Sequence, residues 1–215
     1  MKTKMKIAIL GLIGFNSVAF ATEPVASKTT FILTQDKETG GQCFDENTRI
    51  INVGLGIGGA NYYVGGGYTK SPAFSISYEQ PWSKKLGPGF LGIGAYFGYQ
   101  NAHYRNDYYY SNYYYEHNWN YMMIAARGAY HWDVLNSDKG EVYGGALLGL
   151  RIQTYKYSTN NPNADAYYYR LNEGSVYPVF SIFAGARWYF TKKVAVYGEL
   201  GSGVSYLTAG ISFKL

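Results

Sequence analysis

The sequence predicts an all-β fold: an eight-stranded antiparallel up-and-down transmembrane β-barrel. Three observations predict it. The last stretch of the chain, Val194 to Leu215, alternates apolar and polar residues with period two. The chain opens with an export signal, and no later stretch is apolar and long enough for a membrane-crossing helix. The connections between alternating stretches are long on one side and short on the other.

The terminal stretch is the clearest. Leu207, Ala209, Ile211, Phe213 and Leu215 alternate with Tyr206, Thr208, Gly210, Ser212 and Lys214. Successive side chains of a strand point to opposite faces, so this is a strand with two unlike faces. Before it, Val194, Val196 and Leu200 alternate with Ala195, Tyr197, Glu199 and Gly201. In water such a strand needs a cover. In a bilayer the apolar face meets lipid and the first strand closes the edge.

The beginning of the chain reads differently. Lys2, Lys4 and Lys6 precede the apolar run Ile7–Phe15, and Ala19-Phe20-Ala21 follows. That is a secretory signal peptide over residues 1–21, cleaved after Ala21. A helical span needs about 20 apolar residues, and Asn16 and Ser17 interrupt this run. An exported chain without a spanning helix is either soluble or a barrel. Of its +5 formal charge, three lysines lie in the leader, leaving +2, which is no nucleic-acid footprint. Residues 22–48 are mixed and polar and are expected to form a periplasmic lead-in. Their Cys43 is the one cysteine of 215 residues, so no internal disulfide forms. The barrel then occupies residues 49–215.

The first strand is Arg49–Gly59, with Ile51, Val53, Leu55 and Ile57 against Asn52, Gly54, Gly56 and Gly58. It contains G-x-G-x-x-G at Gly54, Gly56 and Gly59. A dinucleotide site needs a helix next, and Asn61-Tyr62-Tyr63-Val64 is not one. After a loop at 60–71, Pro72–Gln80 sets Phe74, Ile76 and Tyr78 against Ser75, Ser77 and Glu79. Phe90–Gln100 repeats the Leu-Gly-Ile-Gly of the first strand. A loop at 101–118 precedes Trp119–Trp132, which carries Arg127 and His131 on its less apolar face. Glu141–Tyr155 follows, then a loop at 156–175, then Val176–Phe190 with Arg187 facing away from its apolar side. Thr191-Lys192-Lys193 turns into the terminal hairpin. Long loops at one end and turns at the other fit an outer-membrane barrel, as do tryptophans 82, 119, 132 and 188 at strand ends. A soluble sandwich reverses the pattern and puts charge on its outer faces.

These residues resemble the small eight-stranded outer-membrane barrels of the OmpA/OmpX type, the outer-membrane protein β-barrel domain family. The resemblance rests on Ile51-Asn52-Val53-Gly54-Leu55-Gly56, Ala125-Ala126-Arg127-Gly128-Ala129-Tyr130-His131, Gly185-Ala186-Arg187-Trp188-Tyr189-Phe190, Gly198-Glu199-Leu200-Gly201 and Ala209–Leu215. It covers about residues 49–215, departing in that Leu215 rather than an aromatic residue comes last. It implies location in the cell outer membrane. It also implies that Leu207, Ile211, Phe213 and Leu215 form the signal read by the outer-membrane assembly machinery. It does not fix a function, because such barrels serve as anchors, adhesins, enzymes and machine subunits.

An eight-stranded lumen is about filled by side chains. The alternation sends Glu79, Arg127, Arg151, Arg187, Glu199 and Lys214 inward. Glu199 is expected between Arg127 and Arg187, with Arg151 in the same interior network, satisfying charges that would otherwise be buried unpaired. The expected result is a plugged barrel; a proton or ion path is the alternative. Tyrosine, at 25 residues, forms triplets at Tyr108, Tyr109, Tyr110, at Tyr113, Tyr114, Tyr115 and at Tyr167, Tyr168, Tyr169. One reading pairs them across strands that continue past the membrane. The other exposes them as an aromatic surface for a glycan, lipopolysaccharide or protein. On the lipid face, Gly128, Gly144, Ala146 and Ala184 are small enough for a larger barrel to dock laterally. His103, Asp107, Glu116 and His117 match no strong metal motif, and no cofactor is expected. The function expected is a non-catalytic outer-membrane barrel acting as structural or surface-recognition protein or accessory subunit. A small lipid-active enzyme or narrow solute pore is the alternative.

Overall fold

The computed structural model describes residues 43–59, 69–82, 85–107, 112–132, 135, 137–163 and 174–215. The expected signal peptide, most of the lead-in and the triplets at 108–110 and 167–169 lie outside the described residues. The elements are β1 (Ile50–Ile57), β2 (Thr69–Lys70), β3 (Ala73–Pro81), β4 (Gly89–Asp107), β5 (Tyr114–Trp132), β6 (Gly140–Thr159), β7 (Gly174–Tyr189), β8 (Val194–Gly201) and β9 (Leu207–Lys214). β2 pairs only with β4, through Thr69 and Lys70 opposite His103 and Ala102. The other eight form a closed antiparallel ring in chain order. The seam joins the two ends of the sheet, from Ile50 opposite Lys214 to Ile57 opposite Leu207. This is the eight-stranded barrel that the alternation predicts.

The ring has a turn side and a loop side. β3–β4, β5–β6 and β7–β8 connect at the turn side. There Gly87, at φ 61°, takes the left-handed conformation that the bend before Gly89 requires. The predicted loop at 101–118 is mostly strand instead. β4 and β5 stay paired as far as Asp107 opposite Tyr114, and β6 runs on to Thr159. The reason is physical: backbone ladders do not need an apolar face. Here Asn101, His103 and Arg105 alternate with Ala102 and Tyr104, a polar-against-aromatic pattern with little hydrophobic contrast.

Polarity runs opposite to that of a water-soluble barrel. Arg127, Arg187, Glu79, Glu141 and His131 are buried inside, while Leu148, Phe180, Ile182 and Leu200 are exposed outside. The outward face of β5 is apolar from Trp132 to Met122 and turns polar at Asn120. Its neighbours change at the same level, β4 after Tyr99 and β6 after Ile152, because Asn101, Asn120 and Thr154 lie side by side. Asn101 Nδ2 donates to Asn120 Oδ1 at 2.9 Å, and Tyr99 OH donates to the same oxygen at 2.7 Å. The lumen is full. Behind the ionic residues lies an apolar cluster of Ala73, Tyr96, Met123, Leu147, Phe183 and Val204. Val204 comes from the β8–β9 connection, which folds inward at the loop side.

Candidate functional site

The charged residues gather near the turn side because the ladder sets them at neighbouring levels and glycines leave space between them. Glu79 on β3 and Arg127 on β5 flank Gly94 of β4. With no side chain there, Arg127 Nε reaches within 3.0 Å of Glu79 Oε1. Arg127 also donates to Glu199, Nη2 to Oε1 at 2.5 Å and Nη1 to Oε2 at 3.2 Å. Gly185 lies between Tyr143 and Glu199 in the same way. Tyr143 crosses it and donates its hydroxyl to Glu199 Oε1 at 2.9 Å. The Arg127 guanidinium lies over the Phe183 ring, 3.8 Å from its centre. Such cation–aromatic contacts strengthen where water is excluded.

Glu199 does not bridge the two arginines as expected. Arg187 sits directly opposite Glu141 in the β6–β7 ladder and makes its ion pair there. Its other nitrogens donate to Ser212 Oγ at 2.9 Å and Asn52 Oδ1 at 3.1 Å. Glu199 is opposite Gly185, two residues further from the turn side. At about 3.3 Å per residue that step favours Arg127 over Arg187. Arg151 stands apart. It lies eight residues beyond Tyr143, roughly 26 Å along the strand, and donates to the Gly203 carbonyl at 3.2 Å.

Glu141 and Asn52 are the members that sequence reasoning missed. Glu141 shares the odd-numbered face of Tyr143 and Gly145, so parity places it inside. Its position at the strand start hid it. His131 joins the same group, with Nε2 at 3.1 Å from Glu79 Oε2 and Nδ1 at 3.6 Å from Glu141 Oε1. Three carboxylates thus face two guanidiniums and one imidazole. Hydrogen-bonded ion groups of this kind hold a unique arrangement, and loss of one member leaves its partner buried and unpaired.

Past the Asn101–Asn120–Thr154 level, β4, β5 and β6 form a raised sheet. Its inner face is aromatic: Tyr104, Tyr115, His117, Trp119, Tyr155 and Tyr157. His117 stacks on Trp119 with ring centres 5.6 Å apart and 11° between planes. His117 Nδ1 and Tyr155 OH are 2.6 Å apart. On the opposite face Arg105 lies over the Tyr114 ring at 4.4 Å. Tyr114 and Tyr115 are therefore strand residues of the raised sheet, and Tyr113 immediately precedes it. The four metal candidates are not brought together. His103 Nε2 pairs with Glu116 Oε1 at 3.3 Å, Asp107 pairs with Arg105, and His117 lies on the other face. Among the described residues no group of three His, Cys, Asp or Glu is arranged to hold a metal.

The small residues of the outer surface divide. Gly128 and Ala146 are cross-strand partners and, with Ala126, line a groove of about 510 Å³ beside Tyr78, Trp82 and Leu148. Gly144 and Ala184 are partners one step away, where the Trp132 ring lies over Gly144. Leu207, Ile211, Phe213 and Leu215 all face outward.

No protein-family model matches this chain, and no curated protein matches it. Solved structures do. Ail, the attachment invasion locus protein of Yersinia pestis, is 13% identical, with 78% of this chain and 93% of that one covered and a TM-score of 0.41. Its complex with the heparin analogue sucrose octasulfate gives 9% identity, the same coverage and a TM-score of 0.40. The N-terminal β-barrel domain of Pseudomonas aeruginosa OprF gives 15%, 79% and 98%, and 0.37. At these scores nothing about function passes from them to this chain. The barrel stands on the chain's own ladder.

Proposed function

We propose that this protein is an integral outer-membrane β-barrel without catalytic activity, which uses its raised β4–β6 sheet to recognise a partner at the cell surface. The observation that carries the reading is the outward apolar band. From Trp132 to Met122, ten steps of about 3.4 Å each and a tilt of about 40° give roughly 26 Å of height. An outer-membrane barrel carries a band of about 25 Å. Trp82, Trp132 and Trp188 stand exposed at its turn-side edge, where an aromatic girdle meets the lipid headgroups. Short turns then face the periplasm and the raised sheet faces outward. β4, β5 and β6 have 19, 19 and 20 residues, about twice the 9–11 that crossing requires. The surplus carries the aromatic inner face. Lipid and lipopolysaccharide surround the band in this reading, and the terminal strand is what the assembly machinery reads.

Two measurements test it. Membrane fractionation and heat-modifiable gel migration report a folded outer-membrane barrel; a soluble, unmodifiable chain would overturn the reading at its base. Affinity purification in mild detergent should then yield a stoichiometric surface partner. That partner should be lost when Tyr104, Trp119 and Tyr155 become serine, with gel migration unchanged.

A further inference from the structure

The turn-side mouth of the barrel is occupied by the chain itself. Residues 43–48 run into it before β1 begins. Asp45 holds the segment in a tight turn: its Oδ1 accepts from Asn47 N at 2.9 Å and from Thr48 Oγ1 at 2.7 Å. Asp45 N in turn donates to Thr48 Oγ1 at 3.0 Å. Partial burial of the Asp45 carboxyl raises its pKa, but these bonds and nearby Lys214 outweigh that and leave it below the ordinary value. The turn directs Cys43 and Phe44 inward, where they are 6% and 4% exposed.

Their contacts reach around the ring. Phe44 stacks flat on His131 of β5, with ring centres 3.7 Å apart and 3° between planes. It clusters with Ile50 of β1 and Phe90 of β4. Cys43 packs against Tyr189 of β7 and Ala195 of β8. Its thiol donates to the Ser137 carbonyl at 3.2 Å, and its own carbonyl accepts from Lys214 Nζ of β9 at 3.1 Å. The fit is close. A side chain at Gly92 would meet both His131 and Phe44, its Cβ 3.2 Å from the Phe44 ring. A cavity of only about 10 Å³ remains beside Phe44, His131 and Glu141, near the least that admits one water.

We propose that residues 43–48 are a plug built into the fold, latched by the Phe44–His131 stack, which seals the ionic cluster from water on the turn side. The latch residue is also an ion-cluster residue, so His131 joins the seal to the network. Gly92 is the vacancy that lets the two rings meet. The barrel is then closed at one end by the segment that leads into it and at the other by the inward-folded β8–β9 connection. This goes beyond the surface-recognition reading, because it concerns the opposite end and stands or falls separately.

Cys43 is the chain's one cysteine, so its thiol reports the plug without engineering. The full chain, folded in detergent micelles, is exposed to a charged, water-soluble maleimide. Wild-type Cys43 should react at least about ten-fold more slowly than in the urea-unfolded chain. Phe44→Ala and Gly92→Leu, which attack the stack from its two sides, should each restore most of the unfolded rate while the barrel keeps its heat-modifiable migration. Wild-type labelling at the unfolded rate overturns the proposal, and so does continued protection in both folded variants. If neither variant folds, amide exchange of the wild type decides. Protection of Asp45 and Thr48 amides supports the plug, and exchange at the rate of an unstructured chain refutes it.

Discussion

The turn-side lumen and the raised β4–β6 sheet belong to one continuous ladder, yet different forces hold their side chains. In the lumen, full charges are removed from water and satisfied by one set of partners: Arg127 with Glu79 and Glu199, and Arg187 with Glu141. In the raised sheet, half-exposed rings overlap one another, as Trp119 and Tyr155 do with centres 5.3 Å apart. Many ring arrangements have similar energy, whereas a buried ion has few substitutes. The lumen should therefore be intolerant and cooperative, and the raised sheet tolerant and locally mobile. That division suits the proposed reading, in which the inside stays shut while the outer edge meets a partner.

The largest expected effect is in the lumen. Arg187→Met leaves Glu141 without its guanidinium partner, removes one hydrogen bond to Asn52 and should cost about 3–5 kcal/mol. Denaturant unfolding in lipid or detergent measures it, and a loss below 1 kcal/mol would break the contrast. Next comes the band. Leu148 points outward midway along the apolar stretch of β6 and is 65% exposed. Leu148→Arg should cost about 2–4 kcal/mol in a bilayer and far less in a small micelle that yields around the charge. Equal penalties in the two would argue against lipid contact. The smallest effect is in the raised sheet. Trp119→Ala should change global stability by less than about 1 kcal/mol, yet speed amide exchange at Tyr104, His117 and Tyr155. A large global loss there would show the two regions to be one cooperative unit.

What could be read from the sequence divides along the same line. Inside the band, period two places every residue on a face, because the apolar outer surface and the packed polar interior have unlike chemistry. The inward direction of Glu79, Arg127, Arg187 and Glu199 was legible for that reason. Their partnering was not, since parity gives a face but not a height. Assigning Glu199 to Arg127 and Arg187 to Glu141 requires the relative register of β5, β6, β7 and β8. In the raised sheet both faces are polar or aromatic, so the alternation of Asn101–Asp107 and Tyr114–Asn118 carried no contrast and read as loop. The plug was hidden for a third reason. Cys43 and Phe44 are isolated apolar residues in a polar stretch, and only the closed mouth gives them a place to bury.

The seam between β1 and β9 bears on how the molecule is made. The Asn52–Ser212 bond spans 160 residues and the Lys214–Cys43 contact spans 171, close to the greatest loop closure this sheet allows. Contacts so distant in sequence form slowly. Until β9 exists the growing polypeptide holds two raw edges and no seat for Lys214 to complete. Closure thus waits on β9, the described strand furthest along the chain from β1. Loss of β9 (Leu207–Lys214) would therefore yield no slightly weakened barrel. It would yield an open sheet with two unpaired edges, open to aggregation and proteolysis.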